Sequence, residues 1–229
     1  MLQILYQDDD IIAVNKPHGM LVHRSPIAAD VEVFALQTLK EQLGHMVYPA
    51  HRIDRKTGGV LLFARRKELD RDLQMLFAEN KIEKQYWALV RGFTSDHGKI
   101  DYPLKKENGV LQEALTYYET IQRAEIDLPF GKHRTSRYSL VVAKPQTGRM
   151  HQLRRHFAHI SHPIIGDRPH GCNKQNKLWK ETFSHDTMLL HARSLSFMHP
   201  ATQQRIYIEA SVLPEFSRAL DLLNMRLTQ

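Results

Sequence analysis

The chain has 229 residues, 42% of them hydrophobic, with 32 Lys and Arg against 25 Asp and Glu, a formal net charge of +7. That length and apolar content suffice for a sizeable core, and the positive excess suits a polyanionic partner such as nucleic acid. Cys172 is the only cysteine, which excludes an intrachain disulfide, a thiolate metal cluster and a redox CxxC pair, and fits a reducing cytoplasm.

The N-terminus passes from a short apolar start straight into Asp8, Asp9 and Asp10, so it lacks the basic and long apolar regions of a secretory signal. No stretch approaches the roughly 18 apolar residues of a membrane span, and a soluble, unprocessed cytoplasmic protein is expected. LQILY and IIAVN, with Gln7 and the aspartates between them, predict a hairpin. Leu36, Leu39 and Leu43 then recur at helical spacing as far as Gly44. GVLLFARR, 59–66, predicts a strand, and Leu69, Leu73, Leu76 and Phe77 predict an amphipathic helix over 67–80. EKQYWALVRG, 83–92, predicts a strand ended by Gly92, and LTYYETIQ, SRYSLVVAK, RSLSFMH and QRIYIEA add further strands.

RMHQLRRHFAHI carries Met150, Leu153, Phe157 and Ile160 as a helical stripe, and a final helix from about Glu215 carries Phe216, Leu220, Leu223 and Leu227. The polar segments 122–135 and 170–187 read as loops. The second holds Lys174, Lys177, Trp179 and Lys180, either as cations and an aromatic facing nucleic acid or as a plain solvated loop. Strands in succession with few helices predict an α+β fold with a mixed, largely antiparallel central sheet flanked by helices and loops. One domain over 1–229 is expected.

GxxxxGK[ST], GxGxxG after a strand, HExxH and GxSxG are all missing, so the phosphate cradles, zinc ligands and serine elbow they supply are not expected. His151, His156, His159 and His162 lie close together, but in an arginine-rich helix a metal would be a cation among cations. They read as structural or RNA-facing, and no metal is expected.

AHRIDRKTGG, 50–59, sets one carboxylate, Asp54, among Arg52, Arg55 and Lys56. A carboxylate held ionised by nearby arginine is a nucleophile or base at neutral pH. By its composition alone the motif describes an ordinary turn salt bridge, and only the wider sequence reverses that preference.

HRIDRKTGGVLLFA resembles the HRLDxxTSG signature of the RluA-type pseudouridine synthases. NKPHGMLVH at 15–23, EKQYWALVRG at 83–92 and TGRMHQLRRH at 147–156 are similar to that family's NKPxGxxVH, KxYxAxVxG and TGRxHQLRxH segments. HPIIGD at 162–167 and LLHARSLSFMHP at 189–200 follow in the family's order. Lys56 stands where proline is common, and Ile53 replaces leucine. The run RRHFAHISHPIIGD is most like the branch that acts on the uridine at tRNA position 65, in the T stem.

The resemblance implies the pseudouridine synthase fold, as a single catalytic domain over 1–229 with no separate N-terminal RNA-binding domain, and an isomerase that acts on RNA, most of all tRNA; no protein partner is implied. The reaction conserves every atom, so no cofactor is needed. It implies Asp54 as the catalytic residue, attacking the sugar C1′ or uracil C6, or removing the 2′ proton to give a glycal. Reaching a stacked, paired uridine requires flipping it out. By the same resemblance Arg52 fills the vacated stack, Tyr86 stacks on the uracil, Leu153 floors the pocket, and Arg154 is the motif arginine that pairs with the aspartate. Lys16, Arg55, Lys56 and Arg149 are weaker expectations, as contacts to the RNA backbone. Two alternatives stay open at this point: a synthase of ribosomal RNA, and a non-catalytic RNA-binding or chaperone protein with the same fold.

Overall fold

The fold was obtained as a computed structural model, which describes residues 1–23 and 33–226. The chain divides into two compact units, Met1–Lys84 with Ala192–Val212, and Gln85–His191 with Leu213–Gln229.

In the first unit β1 (Gln3–Gln7) and β2 (Ile11–Lys16) form the expected antiparallel hairpin. Its turn is set by Asp8, whose Oδ1 accepts the backbone N–H groups of Asp10 and Ile11, each at 2.8 Å, the local bonding that favours Asp in turns. β2 pairs antiparallel with β4 (Gly58–Ala64), which also carries the short β3 (Tyr48–Pro49). β11 (Leu190–Met198), in this unit from Ala192 onward, pairs antiparallel with β12 (Arg205–Glu209).

Ile11, Ala13, Val60, Leu62 and Ala64 pack with Leu69 and Leu73 of α2 (Lys67–Ala78). The alternate residues Ile12, Val14, Leu61 and Phe63 pack with Leu39 of α1 (Ala35–Leu43). Both faces of the strands are covered, which is why their sequences are unbroken apolar runs instead of alternating ones.

The second unit holds β5 (Glu83–Arg91, from Gln85 onward), β10 (Ser136–Pro145), β9 (Leu115–Ile126) and β6 (His97–Asp101), in that order and antiparallel. A two-stranded ribbon, β7 (Leu104–Lys105) with β8 (Leu111–Gln112), accompanies them. Ala88, Val90, Val141 and Ala143 pack on Leu153 and Phe157 of α3 (Gln152–His159). Tyr138 has the opposite parity and is buried against Trp179 of α4 (Asn173–Phe183). α5 (Pro214–Leu222) ends the described chain, with Phe216 and Leu220 buried; Leu227 lies outside the described residues.

Three sequence expectations change. Segment 122–135 is not all loop, because β9 continues to Ile126. Past Glu119 the strand that pairs with it is β10, since β6 pairs no further along it, so its outer residues can stay polar as edge strands do. Segment 170–187 is largely α4: Trp179 is fully buried and donates its Nε1 hydrogen to Tyr138 Oη at 2.9 Å, while Lys174, Lys177 and Lys180 are exposed. The aromatic there is core, not an RNA platform. In α3 the stripe is one residue shorter than expected, because the helix begins at Gln152 and Met150 is exposed. Among the described residues no helix is long and apolar enough to cross a membrane.

Candidate active site

In the first unit, two motifs are laced together by backbone and side-chain bonds. Asp54, half-buried, opens a turn in which its carbonyl accepts Thr57 N–H at 3.0 Å. Segment 16–20 packs on this turn. Lys16 is fully enclosed, and its ammonium donates to the carbonyls of Pro17 (3.0 Å), Met20 (2.8 Å) and Arg55 (3.1 Å). Three acceptors use all three of its hydrogens. Burial pushes Lys16 down to about 7, against the opposing pull of the Asp54 carboxylate. Arg55 Nε donates to Gly19 O at 2.9 Å, and His18 Nδ1 lies 2.8 Å from Lys56 O.

Past the turn, Gly59 has φ +106°, and a Cβ there would lie 2.2 Å from the Ala192 carbonyl oxygen. Only glycine lets the chain leave the turn so close to the next strand. Upstream, His51 Nε2 accepts Leu62 N–H at 3.1 Å, and its ring stacks on Phe77 at 4.2 Å. Burial, with Lys84 adding to it, pushes His51 down to about 3, so the ring is neutral and serves β4 as an acceptor.

Lys16 was expected to touch RNA phosphate, and its burial corrects that: an enclosed ammonium cannot meet an outside anion. Arg52 and Arg55 are exposed and Lys56 is half-buried. Lys16→Met takes the donor from three carbonyls at once and is expected to cost roughly 1–3 kcal/mol. The loss would be read as a lower urea midpoint, and an unchanged midpoint would mean that the ammonium does not hold the turn.

In the second unit, α3 presents its motif residues from a tightly bonded start. Gln152 Oε1 accepts the Thr147 hydroxyl (2.7 Å) and Arg149 N–H (3.0 Å), while its Nε2 donates to Leu115 O and Thr116 Oγ1, both at 3.0 Å. Arg149, half-buried, donates Nε to Glu113 O at 2.9 Å. Leu153 is buried in the apolar cluster against which the half-buried Tyr86 packs, so these two expected residues share one cluster.

Arg154 is buried and bidentate on Asp167, Nε to Oδ2 at 2.9 Å and Nη2 to Oδ1 at 2.8 Å, the fork geometry that makes Arg–carboxylate pairs strong. Asp167 and Gln152 were absent from the expected site residues. Their signal was there, since they are the last residue of HPIIGD and the glutamine of TGRMHQLRRH.

The histidines of this run have protein partners. Neutral His156, its pKa lowered by burial, donates from Nε2 to Tyr102 O at 3.0 Å and accepts the Thr116 hydroxyl at Nδ1, 2.9 Å. His159 stacks on Tyr102, His162 Nδ1 lies 2.8 Å from Arg91 O, and His151 meets His170 at 2.9 Å.

Residues 10–159 match a family described as RNA pseudouridylate synthase. A tRNA pseudouridine synthase C of Vibrio parahaemolyticus serotype O3:K6 (strain RIMD 2210633) is 46% identical over 222 residues, which cover 92% of this chain and 90% of that one. The protein of the same name from Haemophilus ducreyi (strain 35000HP / ATCC 700724) is 46% identical over 219 residues, 91% of this chain and 90% of that one. Of solved structures, human RNA pseudouridylate synthase domain containing 4 has a TM-score of 0.76 at 24% identity, covering 99% of this chain and 95% of that one. Human RNA pseudouridylate synthase domain containing 1 has a TM-score of 0.75 at 23% identity, covering 94% and 86%. The two human structures establish the α+β fold.

Proposed function

Because the chain belongs to the RNA pseudouridylate synthase family, in its RluA-type branch, we propose that it is an isomerase converting uridine to pseudouridine in tRNA, at position 65 of the T stem, in the cytoplasm. The observation that carries the reading is the Asp54 turn. It presents a half-buried carboxylate from a backbone tied to segment 16–20, with the enclosed Lys16 ammonium attracted to it. Such an acid is held in place and kept from unlimited solvation, as a group acting on a sugar or base must be. The choice of tRNA is supported by relatives named tRNA pseudouridine synthase C over nine-tenths of the chain.

In this reading Asp54 starts the cleavage of the N1–C1′ bond. The freed uracil turns, a C5–C1′ bond forms, C5 gives up its proton and N1 gains one. Nothing is oxidised and no water is consumed, so the pocket has to exclude water until the base has rejoined the sugar. Arg52, exposed beside the turn, enters the stack that the flipped uridine leaves. Tyr86 offers an aromatic face on which the uracil rests and turns, above the apolar floor of Leu153. Arg154 acts from a position held by Asp167. Arg55 and Arg149, each steadied by an Nε bond to a carbonyl, contact RNA phosphates together with Lys56.

Pseudouridines mapped in tRNA and ribosomal RNA from cells lacking the gene, and from the same cells with it restored, test the assignment. Position 65 of tRNA is expected to lose and regain its pseudouridine. A change confined to ribosomal RNA would sink the tRNA reading.

A further inference from the structure

One feature of the second unit lies outside the residues to which the motifs assign roles. The hairpin of β9 and β10 ends in residues 127–135, and this end is tightly bonded. Phe130 and His133 exchange backbone bonds at 2.9 and 3.1 Å, the Ser136 hydroxyl donates to Leu128 O at 2.7 Å, and the Thr135 hydroxyl donates to Glu125. The ordered tip presents Lys132, His133 and Arg134, all exposed. With Arg91 and Arg137 they line a cavity of about 550 Å³ that includes half-buried Phe130 and has no carboxylate in its lining.

The two arginines from the strands are held in place. Arg91 Nη2 reaches Ser161 O at 3.4 Å, while Arg137 pairs with Glu125 at 3.1 Å and lies over the Phe93 ring at 5.2 Å. Four permanent cations converging on one concavity repel one another, and that repulsion is relieved when a polyanion enters. A guanidinium fork suits phosphate oxygens, and phosphates spaced along a strand match several cations better than one small anion does.

We propose that this cavity is a docking surface for the sugar–phosphate backbone of the substrate RNA, with Lys132, Arg134, Arg137 and Arg91 as its phosphate contacts. The proposal rests on the reading of the chain as a tRNA-modifying enzyme. It adds a second contact region that supplies affinity and no chemistry, since backbone contacts position a nucleic acid without reading its sequence.

The test uses the full chain and unmodified tRNA, with binding followed by fluorescence anisotropy across a salt series and pseudouridine formation scored in the same samples. Lys132→Ala/Arg134→Ala removes two contacts from the exposed tip. The plot of log K against log salt is expected to become less steep by about 1.5, and binding to weaken roughly 30-fold at 0.1 M salt. Turnover at saturating tRNA should stay at the wild-type value. Lys132→Arg/Arg134→Lys, which keeps the charge, should bind as the wild type does, and so separates lost charge from a damaged hairpin.

An unchanged slope and affinity in the alanine variant would overturn the proposal and leave the patch to an acidic protein partner. The two readings fail separately: absence of pseudouridine in the wild-type samples counts against the reaction, and a wild-type slope in the variant counts against the surface.

Discussion

Asp54→Asn is expected to bind tRNA with an affinity within a few-fold of the wild type and to form no detectable pseudouridine, a fall in turnover of roughly 10⁴-fold or more on the scale of losing a nucleophile. The substitution keeps the size of the side chain, and the backbone bond from Thr57 N–H to the residue 54 carbonyl is independent of the side chain. The turn therefore survives. What disappears is the negative charge that attacks or abstracts, together with its attraction for the Lys16 ammonium. Single-turnover assays at saturating enzyme separate the two effects, because weak binding is overcome there and lost chemistry is not. Turnover at the wild-type rate would remove Asp54 from the mechanism.

The second large effect lies in the other unit. Asp167→Asn takes the charge from a carboxylate that meets Arg154 at both Nε and Nη2, with both side chains buried. Removing one member of a buried pair takes that compensation from the charge of the other, at a cost of about 3–5 kcal/mol. In a chain of this size that corresponds to a melting point lower by roughly 6–20 °C. Replacing both residues, as Arg154→Met/Asp167→Leu, is expected to recover most of the stability, since apolar pairs of similar volume substitute well for buried ion pairs. Pseudouridine formation should stay lost in the double variant, because Arg154 is gone from the site. A double variant as unstable as Asp167→Asn would show that the pair matters for more than its charges.

These two residues also mark how far a chain of letters can be read. The carboxylate of HRIDRKTGG stood out because cations crowd it along the sequence, and the ordered motifs around it carried the family. Arg154 was equally visible. Its bond to Asp167 was not, because the two are 13 residues apart on different elements, α3 and the loop that follows it. No periodicity links such positions. Trp179 went astray for a related reason: one aromatic among lysines has the composition of a surface loop, and only the Tyr138 hydroxyl beneath it shows that the residue points inward.

The elements follow from local rules and were readable in order. Apolar residues at a spacing of two or of three to four dictate strand or helix wherever one face is to be buried. β9 beyond Gln122 escaped because only Ala124 and Ile126 of its last four residues are apolar. Solvation is different in kind, since it belongs to a place in space and not to a residue type. Lys16 has the letters of a surface cation, yet it is caged by the carbonyls of Pro17, Met20 and Arg55, the last of them 39 positions away. Whether a charge faces RNA, holds a turn or anchors a partner depends on which distant backbone closes over it, and that is decided when the chain folds.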